Sequence, residues 1–237
     1  MNGKSMHWVN RLAVLGLVVG LTAGFAVAGV AQSVGGQAYS TYVNTPVGYS
    51  GPSPLAVLPA ISGTDGAEAD AQGSTQTIAG ALSSDFLNSI TSGEIGTAES
   101  GAQSTASAAS INILNGLITA DEAIANVMSS VTPSGAVSNA DGSTFTNLVV
   151  AGVPVTSGDG PVAPNTNISL PGVGYVVLNE QIPSGDGVTS SGLTVNMIHV
   201  YLQSLTGGGC TPLGCVPGVP TTTGEIVVGS ASSSAAQ

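Results

Sequence analysis

Positive charge is almost missing from this chain. Lys4 and Arg11 are its only residues of fixed positive charge, and from residue 32 onward there are 13 carboxylates and no Lys or Arg. Nucleic-acid binding needs cations to displace condensed counterions, so that class is excluded for residues 32–237. Anionic membrane surfaces and phosphate ligands are disfavoured on the same ground. No Lys or Arg ion pair can form there, and stability must come from burial and backbone hydrogen bonds. Charged residues of both signs make up 6%, against about 25% in ordinary soluble proteins. That argues against helical bundles, whose solvent faces use Glu, Lys and Arg, and against disorder of the highly charged type. Tryptophan occurs once, at Trp8, and histidine only at His7 and His199. Cysteine occurs twice, at Cys210 and Cys215.

What is abundant is Gly, Ser, Thr, Ala and Val, the composition of many short strands and turns. Three β-rich runs lie within Thr144–Leu205, separated by turn chemistry. Ser157-Gly158-Asp159-Gly160 and Ser184-Gly185-Asp186-Gly187 repeat the same turn wording. In the last run Leu193, Val195, Met197, His199 and Tyr201 share one face by period two, and Ile198, Val200 and Leu202 the other, as in a central strand covered on both sides. Further upstream, Asn115-Gly116 between apolar runs predicts a hairpin in which Ile113 faces Ile118. Its incoming arm places Ala98, Ser100, Ala102, Ser104, Ala106 and Ala108 on one face, suited to close packing against another layer. The outgoing arm, 117–131, fits a strand but also carries a capping-box pattern at Thr119 and Glu122. Residues 32–60 predict one or two strands broken near Pro46 and Gly51-Pro52, and 61–83 form a polar, small-residue stretch.

The N-terminus has the three parts of an export signal: a basic start to Arg11, an uncharged run from Leu12 to Ala31, and small-x-small sites at its end. Cleavage is expected between Ala31 and Gln32, with Ala28 as the rival site. No second hydrophobic span follows, so no membrane contact is expected after signal removal. The expected organisation is a signal helix over 1–31, one extracellular β-domain over 32–231, and a flexible tail at 232–237. Within the domain, 206–222 reads as an extended hairpin loop pinned by a disulfide between Cys210 and Cys215, since export favours oxidised thiols.

Candidate chemistry is sparse. Zinc would need two ligands beyond the cysteines. His199 as a general base would need a nucleophile and an orienting carboxylate assembled in space, because no G-x-S-x-G elbow occurs. The bland reading is a satisfied core histidine. Asp65, Glu68 and Asp70 supply oxygen ligands for weak calcium binding, but their spacing matches no EF-type loop and an exposed loop uses the same residues for solubility. Asp65, Asp141, Asp159 and Asp186 each precede Gly, which is turn chemistry. Glu180 ends the strongest strand with no basic partner in sequence; it is either exposed at an edge or hydrogen-bonded by backbone amides or a metal, and reads as an exposed edge residue. Tyr39, Tyr42 and Tyr49 could form an aromatic surface for carbohydrate, though half-buried strands use Tyr as well.

The segments INILNGLITADEAIA (111–125), GSTFTNLVVAGVPV (142–155), APNTNISLPGVGYVVLNEQ (163–181) and TSSGLTVNMIHVYL (189–202) together resemble the choice-of-anchor P family of exported bacterial proteins. The resemblance implies a secreted or surface β-rich domain and no catalytic residues. The chain departs from the anchored pattern in having no recognisable C-terminal anchoring signal, which points to release or to non-covalent retention.

These readings converge on an all-β fold, a two-sheet antiparallel β-sandwich of jelly-roll-like form. The first expected function is a structural or adhesive domain of the cell surface, without catalysis or cofactor. The alternatives are a calcium- or carbohydrate-binding module and a secreted hydrolase using His199. Edge strands without lysine make self-association a further expectation.

Overall fold

The structure is a computed structural model, and it describes residues 32–61, 66–211 and 214–237. The expected signal segment and the Ala31 side of the cleavage site lie outside the described residues, as does Asp65 of the acidic cluster. Seventeen strands and no helix occur among the described residues.

Two antiparallel sheets face each other. The six-stranded sheet is built from β1 (Ser33–Thr45), β2 (Gly48–Val57), β12 (Thr166–Leu170), β13 (Gly174–Gly185), β14 (Ser190–Thr206) and β17 (Val219–Ala236). Its order is β12-β13-β14-β17-β1-β2. The nine-stranded sheet runs from β3 (Ala67–Ile78) through β4 (Leu82–Ile95) and β5 (Ser100–Ile113) to β6 (Ile118–Thr132). Short strands then dock on the far side of β6: β7 (Gly135–Asn139), β8 (Thr144–Thr146) and β9 (Val149–Val150), with β10 (Val153–Pro154) and β11 (Asp159–Gly160) beyond them. A small hairpin, β15 (Gly209–Thr211) and β16 (Gly214–Val216), caps the end of β14.

The sandwich expectation therefore holds, but the path differs from a jelly roll. A jelly roll winds its strands as Greek keys between two sheets. Here successive strands are mostly sheet neighbours, and β17 returns between β14 and β1. The Asn-Gly hairpin forms as expected, with Ile113 opposite Ile118. Its turn is one residue wider, since Leu114 joins Asn115 and Gly116 at positive φ. The outgoing arm is strand, so the capping-box pattern is overridden by pairing with β5. The polar stretch at 61–83 contains the edge strand β3, and β2 tolerates Pro52 and Pro54 because it is also an edge.

Residues 232–237 are a correction. They are not a flexible tail: β17 runs to Ala236, paired on one side with β1 and on the other with β14. Ser233 and Ala235 are buried. Small side chains without charge looked like a tail, but they are what a strand needs where the two sheets close on each other. The 206–222 segment is an extended hairpin, as expected, with β14 and β17 paired out to Thr206 and Val219. Cys210 stands opposite Cys215 in the β15–β16 hairpin. The side chain of Cys210 lies outside what the structure describes.

Packing across the sandwich shows a regular defect. The inward residues of β5 are Ala102, Ser104, Ala106 and Ala108, then Ile111 and Ile113. Between them Ala109 and Ser110 both point out, with Ser110 at φ 51. Its neighbours do the same: Asp85 and Phe86 in β4, with Phe86 at φ 50, and Asp121 and Glu122 in β6. The six-stranded sheet steps in the complementary way. Met197 and Ile198 of β14 both belong to the core, beside Gly229 of β17 at φ 66 and Asn179 of β13 at φ 47. A positive φ in one residue reverses the alternation of side chains beyond it. A step line therefore crosses both sheets and divides the sandwich. On one side the core is bulky, with Ile111, Ile113, Ile118, Phe145, Leu148, Leu178, Ile198, Ile226 and Val228. On the other, Leu87, Val127, Val131, Leu193 and Val195 are interleaved with small and hydroxyl side chains. There Ser129 Oγ lies 2.7 Å from Ser233 Oγ and 2.8 Å from Ser138 Oγ, and Thr91 Oγ1 lies 2.9 Å from Ser104 Oγ. A Cβ on Gly36 would collide with Thr91 Oγ1. Close approach there depends on the absence of large side chains, and buried hydroxyls are satisfied by one another.

Candidate functional site

The step line creates the one concentrated polar site of the six-stranded sheet. Strict alternation would put His199 and Asn196 on opposite faces of β14. Because Met197 and Ile198 both turn inward, Asn196, His199 and Tyr201 all emerge on the outer face. The sequence expectation that Leu193, Val195 and Met197 share a face with His199 and Tyr201 is corrected accordingly. β14 is central, but its outer face is covered by the neighbouring polar side chains rather than by another layer.

Pairing then brings three rows together. Tyr175, Tyr201, Glu225, Asn44 and Tyr49 form one continuous ladder across β13, β14, β17, β1 and β2. Val177, His199, Val227 and Tyr42 form the next row. Glu180, Asn196, Ser230 and Tyr39 form the third, beyond the step. All five tyrosines of the chain lie in this sheet, with the one histidine beyond residue 31 among them.

Glu180 is the hub, and its reading as an exposed edge residue is overturned. Its strand is internal, between β12 and β14, and its side chain is 14% exposed. Asn196 Nδ2 donates to Glu180 Oε2 at 2.8 Å, and the Tyr201 hydroxyl donates to Glu180 Oε1 at 3.0 Å. His199 Nδ1 lies 2.7 Å from Glu180 Oε2, while its Nε2 lies 3.3 Å from Glu225 Oε2. A carboxylate only accepts, so both contacts are satisfied together only when both ring nitrogens carry hydrogen. Ser230 Oγ donates to Asn196 Oδ1 at 2.7 Å and fixes the amide orientation. Burial on its own would raise the Glu180 carboxyl. The hydrogen bonds from His199 and Asn196, the charge of His199 and the Tyr201 hydroxyl outweigh it and hold the carboxyl at about 2. Burial and the Glu180 hydrogen bond push the Tyr201 phenol upward.

The rings are ordered by the same contacts. Tyr201 stacks on His199 at 4.0 Å between centroids and 29° between planes. Tyr175 stacks on Tyr201 at 4.7 Å and 17°. At the other end Tyr42 and Tyr49 meet edge to face, 6.3 Å apart at 86°. Tyr49 is 69% exposed, and burial and the Glu225 charge raise the Tyr42 phenol. Burial raises the Tyr39 phenol, which stands beside Ser230 in the pairing of β1 with β17.

The other singled-out residues lie elsewhere. The two S-G-D-G turns are not equivalent. Asp159 pairs with Thr146 in a strand bridge. The Asp186 carboxylate instead accepts from the amides of Val188, Thr189 and Ser190 at 2.8–2.9 Å and from the Thr189 hydroxyl at 2.7 Å. Those hydrogen bonds, led by Thr189, hold it well below the usual carboxylate range. Glu68 and Asp70 are exposed on β3, where Asp70 accepts from Gln72. No group of three or more His, Cys, Asp or Glu side chains able to hold a metal occurs among the described residues. A shallow groove of 590 Å³ lies on the nine-stranded sheet between Glu68, Glu94, Glu99 and Met128.

In sequence Tyr39, Tyr42, Tyr49 and Glu180 stand apart from His199 and Tyr201, which share a face by period two, and nothing local marks Tyr175, Asn196 and Glu225 as their partners. Only the pairing register brings them to one face. No family model matches the chain, no curated protein matches it, and no solved structure matches it.

Proposed function

We propose that this chain is an exported, non-catalytic β-domain with a structural or adhesive role at the cell surface, working through the outer face of its six-stranded sheet. The observation that carries this reading is the gathering of all five tyrosines and His199 on that face, around two carboxylates. Aromatic side chains that combine an apolar body with a polar tip are favoured at recognition surfaces. Both nitrogens of His199 are taken up by carboxylates, and no hydroxyl or thiol of the described residues hydrogen-bonds it. That arrangement supports a positioning role for the histidine rather than that of a general base.

Export rests on the N-terminal signal pattern and on the placement of Cys210 opposite Cys215, which suits a disulfide formed in an oxidising compartment. The segments that resemble choice-of-anchor P proteins include β13 and β14, the strands that carry Glu180, Asn196, His199 and Tyr201, and the reading keeps that resemblance as part of the proposal. In this reading, retention at the surface comes from non-covalent contacts of that outer face.

The test compares the native protein with a Tyr42→Ala/Tyr49→Ala variant after fractionation into culture medium and washed envelope. The expected result is retention of the native protein and release of the variant at equal folded content. Unchanged retention of the variant, or a hydrolytic activity lost on His199→Ala, overturns the proposal.

A further inference from the structure

Resting on that reading, we propose that the cross-strand ladder Tyr175–Tyr201–Glu225–Asn44–Tyr49 is a binding platform for an uncharged polysaccharide. The ladder crosses five adjacent strands. At about 4.8 Å per strand spacing it spans about 19 Å, the reach of an oligosaccharide chain rather than a single sugar. Its chemistry alternates between ring faces and acceptors. The rings of Tyr49 and Tyr175 offer apolar faces to the C–H side of a sugar ring, while Tyr201, stacked on both His199 and Tyr175, holds Tyr175 in place. Glu225, Asn44 and the phenol hydroxyls lie between and beside them to receive or donate hydrogen bonds.

Charge narrows the ligand from both sides. No Lys or Arg occurs from residue 32 onward, so a polymer of uronate, sulfate or phosphate groups meets only carboxylates and is repelled. A polycation would need carboxylates free to pair with it. Glu180 is instead satisfied by Asn196, His199 and Tyr201, and Glu225, the single carboxylate of the ladder, already has His199 at 3.3 Å on one of its oxygens. An uncharged, hydroxyl-rich polymer is the class left, and the ordered rings present it with a surface that loses little side-chain entropy on binding.

The experiment is affinity electrophoresis and pull-down of the exported protein on cellulose, chitin, mannan and dextran. Polygalacturonate and heparin serve as polyanions and chitosan as the polycation. The expected result is retention on at least one uncharged polymer, weakened about tenfold by Tyr49→Ala and by Tyr175→Ala, as loss of one aromatic contact implies. Phe86→Ala, on the opposite sheet, leaves binding unchanged, and circular dichroism confirms that all variants are folded. Retention on none of the uncharged polymers, retention on the polyanions, retention on chitosan alone, or uncharged-polymer binding indifferent to both tyrosine variants overturns the inference. If no uncharged polymer binds while Tyr42→Ala/Tyr49→Ala still releases the protein from the envelope, the polysaccharide inference falls and the recognition face stands.

Discussion

Glu180→Ala is the most informative single change. It removes the acceptor of three side-chain donors at once: Asn196, His199 and Tyr201. The carboxyl is held at about 2 against an ordinary 4.5. One pKa unit corresponds to about 1.36 kcal/mol, so the full linkage is roughly 3 kcal/mol, and about 2 kcal/mol once partial solvent access is allowed for. The folded carboxyl is the stronger acid, so its contribution is complete above pH 4.5 and is lost as pH falls toward 2. For a domain of this size each kcal/mol moves Tm by about 2–4 °C. The variant should therefore melt about 4–8 °C below the parent at pH 7 and approach it at pH 2. Thermal unfolding followed by circular dichroism at pH 7, 5, 3.5 and 2 reads this directly. A Tm difference at pH 7 below 1 °C, or one that does not shrink on acidification, would falsify the view that the Glu180 carboxylate organises the site.

Three other outcomes follow from the geometry. Gly229→Ala places a Cβ at φ 66, 3.3 Å from Met197 Cβ and Cγ; a loss of about 1–2 kcal/mol is expected in urea unfolding, with altered tyrosine fluorescence because the step line positions the cluster. Asp186→Ala frees the amides of Val188, Thr189 and Ser190, and their hydrogen exchange should accelerate while that of β14 residues 195–200 does not. Deleting residues 232–237 removes pairing with both β1 and β14, so a cooperative loss of Tm is expected; a truncated protein that melts with the parent would restore the view of this segment as a tail.

Much of the strand framework is legible in the sequence because it depends on local chemistry. Asn115-Gly116 fixes a hairpin since few other residues accept positive φ at both positions. The Ala/Ser alternation before it marks a close-packed inner face, and from Ser100 to Ala108 the structure keeps it. The step line was not legible. Its positive-φ residues include Phe86 and Ser110, which carry no local signal for that conformation, and only the packing of two sheets in step holds them there. Period two extended across Met197–Ile198 therefore groups His199 with Leu193, Val195 and Met197, whose face it does not share.

The sequence by itself determined the class of molecule: strands rather than helices, no Lys or Arg beyond residue 31 to meet a polyanion, and too few cysteines and histidines for a familiar metal site. Each of these follows from residue chemistry that no fold can change. Tertiary structure decided which residues act together. Tyr49 and Tyr175 are separated by more than half the chain, yet pairing through β1, β17 and β14 sets them in one ladder. Glu180, read as lacking a partner, gained His199 because the strands that carry them are neighbours and the step line turned both side chains outward. Register and face are properties of the assembled sheet, since backbone hydrogen bonds pair strands without regard to their distance in sequence.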